Sequence, residues 1–196
     1  NYIIYLQHWD KIPPQVAEMY RLSAKAEDWR YYFRALILEA AAYLRRGQAE
    51  TAGQQLLKAD SLYTTANLKG VSYEPNFFLV YTSYLYNAGD LNHALQQTER
   101  GIDSLRSRSL SRRDSSLLSS LYNNLGVRYF DIGDYEEAVI HYRNALAIND
   151  RLSPGISTKA IQMRLNLSLA STFLEDWELA LTQLNLLAEQ FPPLTN

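Results

Sequence analysis

The sequence predicts an all-α fold assembled from repeated pairs of antiparallel helices, and three observations carry that prediction. Alanines recur in one frame, at Ala52, Ala94, Ala138 and Ala180, with spacings of 42, 44 and 42 residues. A short turn lies just upstream of each, at Gly47-Gln48, Gly89-Asp90, Gly133-Asp134 and Glu175-Asp176. No stretch has the period-2 alternation of a strand, and none is of low complexity.

Taken in order, the elements are as follows. A first helix is expected over about 2–10, and Pro13-Pro14 opens another over about 14–25. Ala17 and Ala24 give this second helix the spacing of a half-unit. Four pairs follow, at about 28–46 with 49–67, 75–88 with 91–110, 114–132 with 135–150, and 157–174 with 177–190. Pro75 suits the opening turn of its helix, Ser153-Pro154-Gly155 marks a loop, and Pro192-Pro193 stops the last helix.

The residue types fit the slots. Glycine at three of the four turns supplies a positive φ that ends the first helix of a pair abruptly. Aspartate at the next position can cap the first turn of the second helix. Ala49, Leu91, Tyr135 and Trp177 come directly after the turns, and Ala59, Gly101, Ala145 and Leu187 lie seven residues beyond the first alanine. Small residues let the two helices approach, and large ones fill the gaps against the next unit. Tyr43, Tyr129, Tyr135, Tyr142 and Trp177 are therefore read as core.

One stretch is denser in signal than the rest. It holds Tyr122-Asn123-Asn124-Leu125-Gly126-Val127-Arg128-Tyr129, then Gly133-Asp134-Tyr135, then Ala138, Tyr142 and Ala145. This closely resembles a tetratricopeptide repeat. The resemblance covers about residues 33–192 and is strongest over 119–152. Elsewhere the Leu-Gly slot is filled differently, by Glu39-Ala40, Tyr81-Thr82 and Leu167-Ser168. The ordinary repeat of this family is ~34 residues long, so a spacing of 42 to 44 adds about two helical turns. Long spacing and the Asn-Asn-Leu run are similar to the repeats of kinesin light chains and of some bacterial peptide-sensing regulators. The resemblance implies a right-handed α-α superhelix, a tetratricopeptide-like solenoid of about four helix pairs plus an N-terminal half-unit. Residues 1–196 then form one solenoid, divided into 1–32, 33–74, 75–118, 119–160 and 161–196.

It also implies where a ligand binds. In this family the first helix of each pair lines a concave groove that holds an extended protein segment or peptide. Carried over by position, the groove residues of the third pair are Ser120, Asn124, Val127 and Asp131. Those of the fourth are Gln162, Asn166, Leu169 and Phe173, those of the second Asn76, Val80, Ser83 and Asn87, and those of the first Arg34, Leu38, Ala41 and Arg45. The expected ligand-binding set is Asn124, Asn166, Asp131, Val127, Gln162, Ser83 and Asn87, with Arg128 and Arg164 adding charge if they face the groove. A side-chain amide donates and accepts at once, which suits a peptide unit. The alternative for Asn124 and Asn166 is bonding to neighbouring helices or water. Ser120 and Gln162 stand where the family's carboxylate clamp needs Lys or Arg, so that clamp is not expected.

Composition excludes other classes. The chain of 196 residues is 47% hydrophobic and 20% charged, an ordinary globular balance, with a formal net charge of −2. Near neutrality gives no global attraction to nucleic acid or anionic membrane. The run Arg106-Ser107-Arg108-Ser109-Leu110-Ser111-Arg112-Arg113 is the one basic cluster. It is read as covering the end of a helix, where cations are favoured, in preference to a phosphate or acidic-partner contact. No cysteine is present, so disulfides, thiolate zinc sites and cysteine nucleophiles are excluded and no compartment is selected. His8, His93 and His141 are isolated, and Glu136-Glu137 suits the start of a helix. There is no phosphate loop, nucleophile elbow or zinc-helix motif, and no apolar run able to span a bilayer. The expectation is a module with no catalysis and no cofactor that binds a protein or peptide, with no nucleic acid and no membrane insertion. The start at Asn1, without Met, leads us to read it as part of a larger bacterial regulator, sensing or scaffolding. Self-association through the terminal helices is the competing expectation.

Overall fold

The computed structural model describes residues 12–26, 28–68, 71, 74–153 and 157–189. Among them the helices are α1 (Ile12–Ala26), α2 (Trp29–Arg45), α3 (Ala49–Thr65), α4 (Glu74–Asn87), α5 (Leu91–Arg106), α6 (Arg112–Asp131), α7 (Tyr135–Leu152), α8 (Thr158–Phe173) and α9 (Trp177–Ala188). There is no strand among the described residues. The fold is the all-α, tetratricopeptide-like repeat that the sequence predicts. The expected helix at 2–10, His8, Pro154-Gly155 and Pro192-Pro193 lie outside the described residues.

Boundaries agree with expectation within a few residues, with one exception. Helix α5 stops at Arg106 rather than near 110. The Ser111 side chain accepts a hydrogen bond from the Asp114 backbone N–H and caps α6. The basic run is therefore split between two helices. Arg106 ends α5, whereas Arg112 opens α6 and its guanidinium donates to the Leu152 carbonyl at the end of α7, at 2.6 Å. The cation does sit at a helix C-terminus, but a different one.

The four turns are near copies. Gly47, Gly89 and Gly133 have φ of +72°, +80° and +84°. In each turn the following residue donates its N–H across five residues at 2.9 Å: Gln48 to Tyr43, Asp90 to Leu85, Asp134 to Tyr129 and Asp176 to Ser171. This bond satisfies a carbonyl at the helix end that the helix itself leaves open. Asp90, Asp134 and Asp176 then accept from the backbone of His93, Glu137 and Leu179. The fourth turn reaches the same shape with Glu175 at φ +59°, where a side chain carries a steric penalty that glycine avoids.

The chain forms two compact units, residues 1–94 and 95–196. In the first, α1 packs on α2, α2 on α3, and α4 on both α2 and α3. Its centre is aromatic. Phe33 lies 5.4 Å from Phe77, Phe77 5.1 Å from Phe78, and Tyr63 5.8 Å from Phe77. The Tyr63 hydroxyl donates to the buried Glu74 carboxylate, so the polar pair in this core is mutually satisfied. In α1, Val16, Met19 and Ser23 point inward, while Ala17 and Ala24 are exposed. The half-unit frame is therefore one residue earlier than expected, on Val16 and Ser23.

In the second unit α6 packs on α7, α7 on α8, and α8 on α9. Ala138, Ala145 and Ala180 are buried. The α6–α7 crossing is the closest match to the family pattern, because Gly126 leaves room for Tyr142. A Cβ at position 126 would stand 2.6 Å from the Tyr142 ring, which is itself 2% exposed. In the same two slots the first pair carries Ala40 and Leu56, and the last carries Ser168 and Leu184. The departures from glycine are thus matched by a smaller partner on the second helix, keeping the combined volume similar.

Two outcomes follow from these contacts. Gly126→Ala drives a methyl into the Tyr142 ring and lowers stability by roughly 1–3 kcal/mol. Gly126→Ser with Tyr142→Leu reproduces the last pair and recovers most of that loss in urea unfolding; no recovery would refute the size match. Separately, Glu175→Gly relieves the left-handed backbone and raises stability by about 1 kcal/mol, read as a higher unfolding midpoint at unchanged slope.

Candidate functional site

The expected groove residues divide sharply once placed. On α4, Asn76 and Val80 are buried at 1% and 5% exposure, Ser83 is half-buried and donates to its own helix at Leu79, and Asn87 is exposed. On α2, Leu38 and Ala41 are buried as well. The first unit therefore offers fewer groove side chains than the resemblance implied, because its apolar core extends across that face.

The second unit builds a continuous strip where α6 meets α8. Three contacts join the helices at a constant offset of 43 residues and recur every seven. Lys159 Nζ donates to the Ser116 carbonyl, at 2.5 Å, and lies 3.3 Å from its Oγ. Asn166 Nδ2 donates to Asn123 Oδ1 at 3.1 Å. Phe173 meets Phe130 edge-on at 5.3 Å and stacks on Tyr135 at 4.6 Å. Seven residues are about two helical turns, so all three contacts share one line. The strip runs from a cation, through amides, to an aromatic cluster.

The amides form a chain. Gln162 Nε2 donates to Asn166 Oδ1 at 3.0 Å, and Asn166 donates onward to Asn123. Its two ends are chemically opposite, with the Asn123 NH2 at one and the Gln162 carbonyl oxygen at the other. Asn124 is half-buried beside it, Val127 is half-buried one turn on, and Asp131 is exposed at the helix end. Asn166 thus bonds a neighbouring helix at Asn123, the alternative weighed for it above, while keeping its place on the strip. The amide slots repeat every 42 residues, but the two helices touch at an offset of 43.

The two arginines do not add charge to this strip. Arg128 is 4% exposed, held inside the unit. Arg164 donates to Asp150 Oδ2 at 2.7 Å and to Gln183 Oε1 at 3.0 Å, tying α8 to α7 and α9. Sequence reasoning missed Lys159, Asn123 and Phe130. The signal for them was the parallel seven-residue spacing of 116, 123, 130 and 159, 166, 173, which the alanine frame overshadows.

Of the histidines, His93 is exposed and sits 2.6 Å from Asp90 at a helix cap. His141 stacks on Tyr129 and Tyr122 at 5.2 and 6.0 Å, and burial holds its pKa below the usual value. No cluster of three His, Cys, Asp or Glu able to hold a metal occurs among the described residues. Nor is any described helix long and apolar enough to cross a membrane. The first unit contains a cavity of about 790 Å³ lined by Tyr20, Ser23, Ala24, Trp29 and Tyr32. The Tyr20 hydroxyl on its wall donates to Glu39 at 2.6 Å.

Against known proteins, residues 119–152 match the tetratricopeptide repeat model. The chain carries a tetratricopeptide repeat. Its fold extends the likeness to almost the whole length. It is similar to BtubC from P. vanneervenii, with a TM-score of 0.74 at 16% identity over 97% of this chain and 93% of that one. A putative kinesin light chain from Podospora anserina with nearly identical tetratricopeptide-like repeats gives 0.65 at 15% identity, covering 95% and 90%. A Rap protein complexed with Competence and Sporulation Factor gives 0.67 at 17% identity, covering 93% of this chain but only 50% of Rap. These likenesses are to the fold. No curated protein sequence matches the chain.

The half-buried cation yields a measurable outcome. Burial pushes the Lys159 amine down to about 8 from its usual 10.5. Between those two values the unfolded chain binds more protons than the folded one, so this residue makes stability rise with pH from about 8. Below that range its desolvation penalty is fully present. Lys159→Met abolishes that rise, so the stability difference between wild type and variant shifts toward wild type from pH 7 to pH 10. A pH-independent difference in denaturant unfolding would rule the assignment out.

Proposed function

We propose that this chain is a non-catalytic interaction module that holds an extended peptide along the α6–α8 strip, as the recognition segment of a larger bacterial regulator. One observation carries this reading. The Gln162–Asn166–Asn123 chain ends in an open acceptor on one side and an open donor on the other. A peptide unit offers the complementary pair, a C=O for Asn123 and an N–H for Gln162. The tethered amides are also prealigned, which limits the entropy lost on binding. Asn124, Val127 and Asp131 flank one side of the strip, and the Phe130–Phe173 cluster offers an apolar seat for a ligand side chain.

The similarity to a Rap protein complexed with Competence and Sporulation Factor supports a bound ligand of that kind. Lys159 at one end of the strip favours an acidic group or carboxylate near that end of the ligand. With a net charge of −2, and with Arg112 and Arg164 engaged in structure, the chain is not read as a nucleic-acid binder.

The test is binding of peptides selected from a random display library, measured by titration calorimetry. Replacing Asn124 and Asn166 together by Ala breaks the amide chain in its middle and strands its neighbours. Affinity falls about ten- to hundredfold, from a loss of roughly 1–3 kcal/mol. Selected peptides that bind the double variant as tightly as wild type would remove the strip from consideration and leave the fold untouched.

A further inference from the structure

The α6–α8 strip is electrically polar along its length. The constant 43-residue offset makes the two helices parallel, so both begin at the Lys159 end and both finish at the aromatic end. At the first end α7 also finishes, since Arg112 reaches the Leu152 carbonyl. Residues 111–118, 148–153 and 157–161 there hold four Lys or Arg and two carboxylates. At the second end α7 and α9 begin. Residues 130–137 and 170–178 there hold seven carboxylates and no Lys, Arg or His. Trp177, expected in the core, is 57% exposed at this end, because no later helix pair lies on the last one among the described residues.

The carboxylates have a local role as well. Asp134 and Asp176 cap α7 and α9, and Glu136, Glu137 and Glu178 fall in their first turns. Capping does not cancel them. Each helix end carries only about half an elementary charge, and the finishing ends of α6 and α8 offset the starting ends of α7 and α9. Formal charge therefore sets the sign, positive at Lys159 and negative at the rings. Lys159 adds a directional element. Its ammonium is held on the Ser116 carbonyl and hydroxyl, meets no carboxylate among the described residues and has a third donor to give.

The rings at the other end suit the opposite charge. Phe130 and Tyr135 both pack on Phe173, and an aromatic face attracts a cation. An arginine or lysine also covers such rings with its aliphatic stem while its head stays among the carboxylates. Lys159 and Phe173 are fourteen positions apart on α8. That is about 21 Å of helix, which an extended chain covers in about six residues.

We infer that the strip selects an extended segment bearing two opposite charges about six residues apart, with a basic side chain on the Phe130–Tyr135–Phe173 rings and an acidic group at Lys159. This rests on the peptide reading of the strip and adds to it the order and spacing of charge.

The probe is the blocked heptapeptide acetyl-Arg-Thr-Ser-Thr-Ser-Thr-Glu-amide, whose only charges are its first and last side chains. It is titrated against the whole chain and followed by backbone amide chemical shifts. The expected result is saturable binding that weakens as salt rises and weakens about tenfold when either charged residue becomes Gln. Moving the two charges to three residues apart costs as much. In the protein, Lys159→Met removes the preference for Glu over Gln and leaves that for Arg. Phe173→Leu, at a side chain 53% exposed, shrinks the preference for Arg and leaves that for Glu. Circular dichroism checks that both variants fold. The inference is overturned by an absence of saturable binding, by neutral peptides that bind as tightly as the charged one, or by equal binding at the shorter spacing. It is also overturned when Lys159→Met acts on the Arg position, which reverses the order. Binding left unchanged by Asn124→Ala with Asn166→Ala refutes the peptide reading itself, whereas charge-blind binding that this variant weakens refutes only the charge order.

Discussion

The structure depends on how closely two helices of a pair can cross. At Gly126 the backbone of α6 comes so near the Tyr142 ring that even a methyl group has no room. The tyrosine is thereby buried at 2% exposure, and its ring fills space that no aliphatic side chain at that slot would fill. The same two slots carry Ala40 and Leu56 in the first pair and Ser168 and Leu184 in the last, trading a larger residue on the first helix for a smaller one on the second. Volume is conserved across the crossing while identity is not. Consensus residues at these slots are therefore one solution of a packing equation, and the first and last pairs use another.

The crossing is set up by the turns. A helix that ends in a left-handed residue reverses within two positions, and the N–H of the next residue closes the open carbonyl. All four turns do this with the same 2.9 Å bond. Three use glycine and one uses Glu175, so the turn is imposed by packing on either side strongly enough to tolerate a strained residue. The aspartates that follow cap the next helix and fix its first turn. From there the alanines at 94, 138 and 180 fall on the inward face without further instruction.

Much of this was legible in the sequence because it is local. The alanine frame, the Gly-Asp turns and the helix limits all follow from spacings within one repeat. What was not legible depends on how one repeat lies on the next. The groove amides illustrate the difference. Asn124 and Asn166 share a slot at a spacing of 42, yet Asn166 bonds Asn123 because α6 and α8 touch at an offset of 43. A one-residue shift is invisible to a periodicity argument and rotates the partner by about 100° around its helix. Arg128 and Arg164 fail for a related reason. A guanidinium near a polar slot was read as groove charge, but long side chains reach past their own position, and Arg164 satisfies Asp150 and Gln183 on two other helices. Ala17 and Ala24 show the limit of small residues as markers, since α1 turns Val16 and Ser23 inward.

The contrast between the two surfaces of the second unit follows from the same logic. Along the α6–α8 strip, each polar group that faces a neighbour finds one: a lysine on a carbonyl, and an amide on an amide. What remains open there is the ends of the chain, a small number of directional donors and acceptors. Such a surface selects by geometry and gains little from area. The outer face of α8 and α9 has the opposite character, with aliphatic and indole surface and little that is directional. It gains from area. A repeat fold generates both from one helix pair, because the first helix turns its polar edge to the strip while the pair as a whole presents its stacking face to whatever comes next. On α8 itself, Asn166 and Leu169 lie within about 60° of one another around the helix, so a residue that reads hydrogen bonds and one that exposes apolar surface are near neighbours.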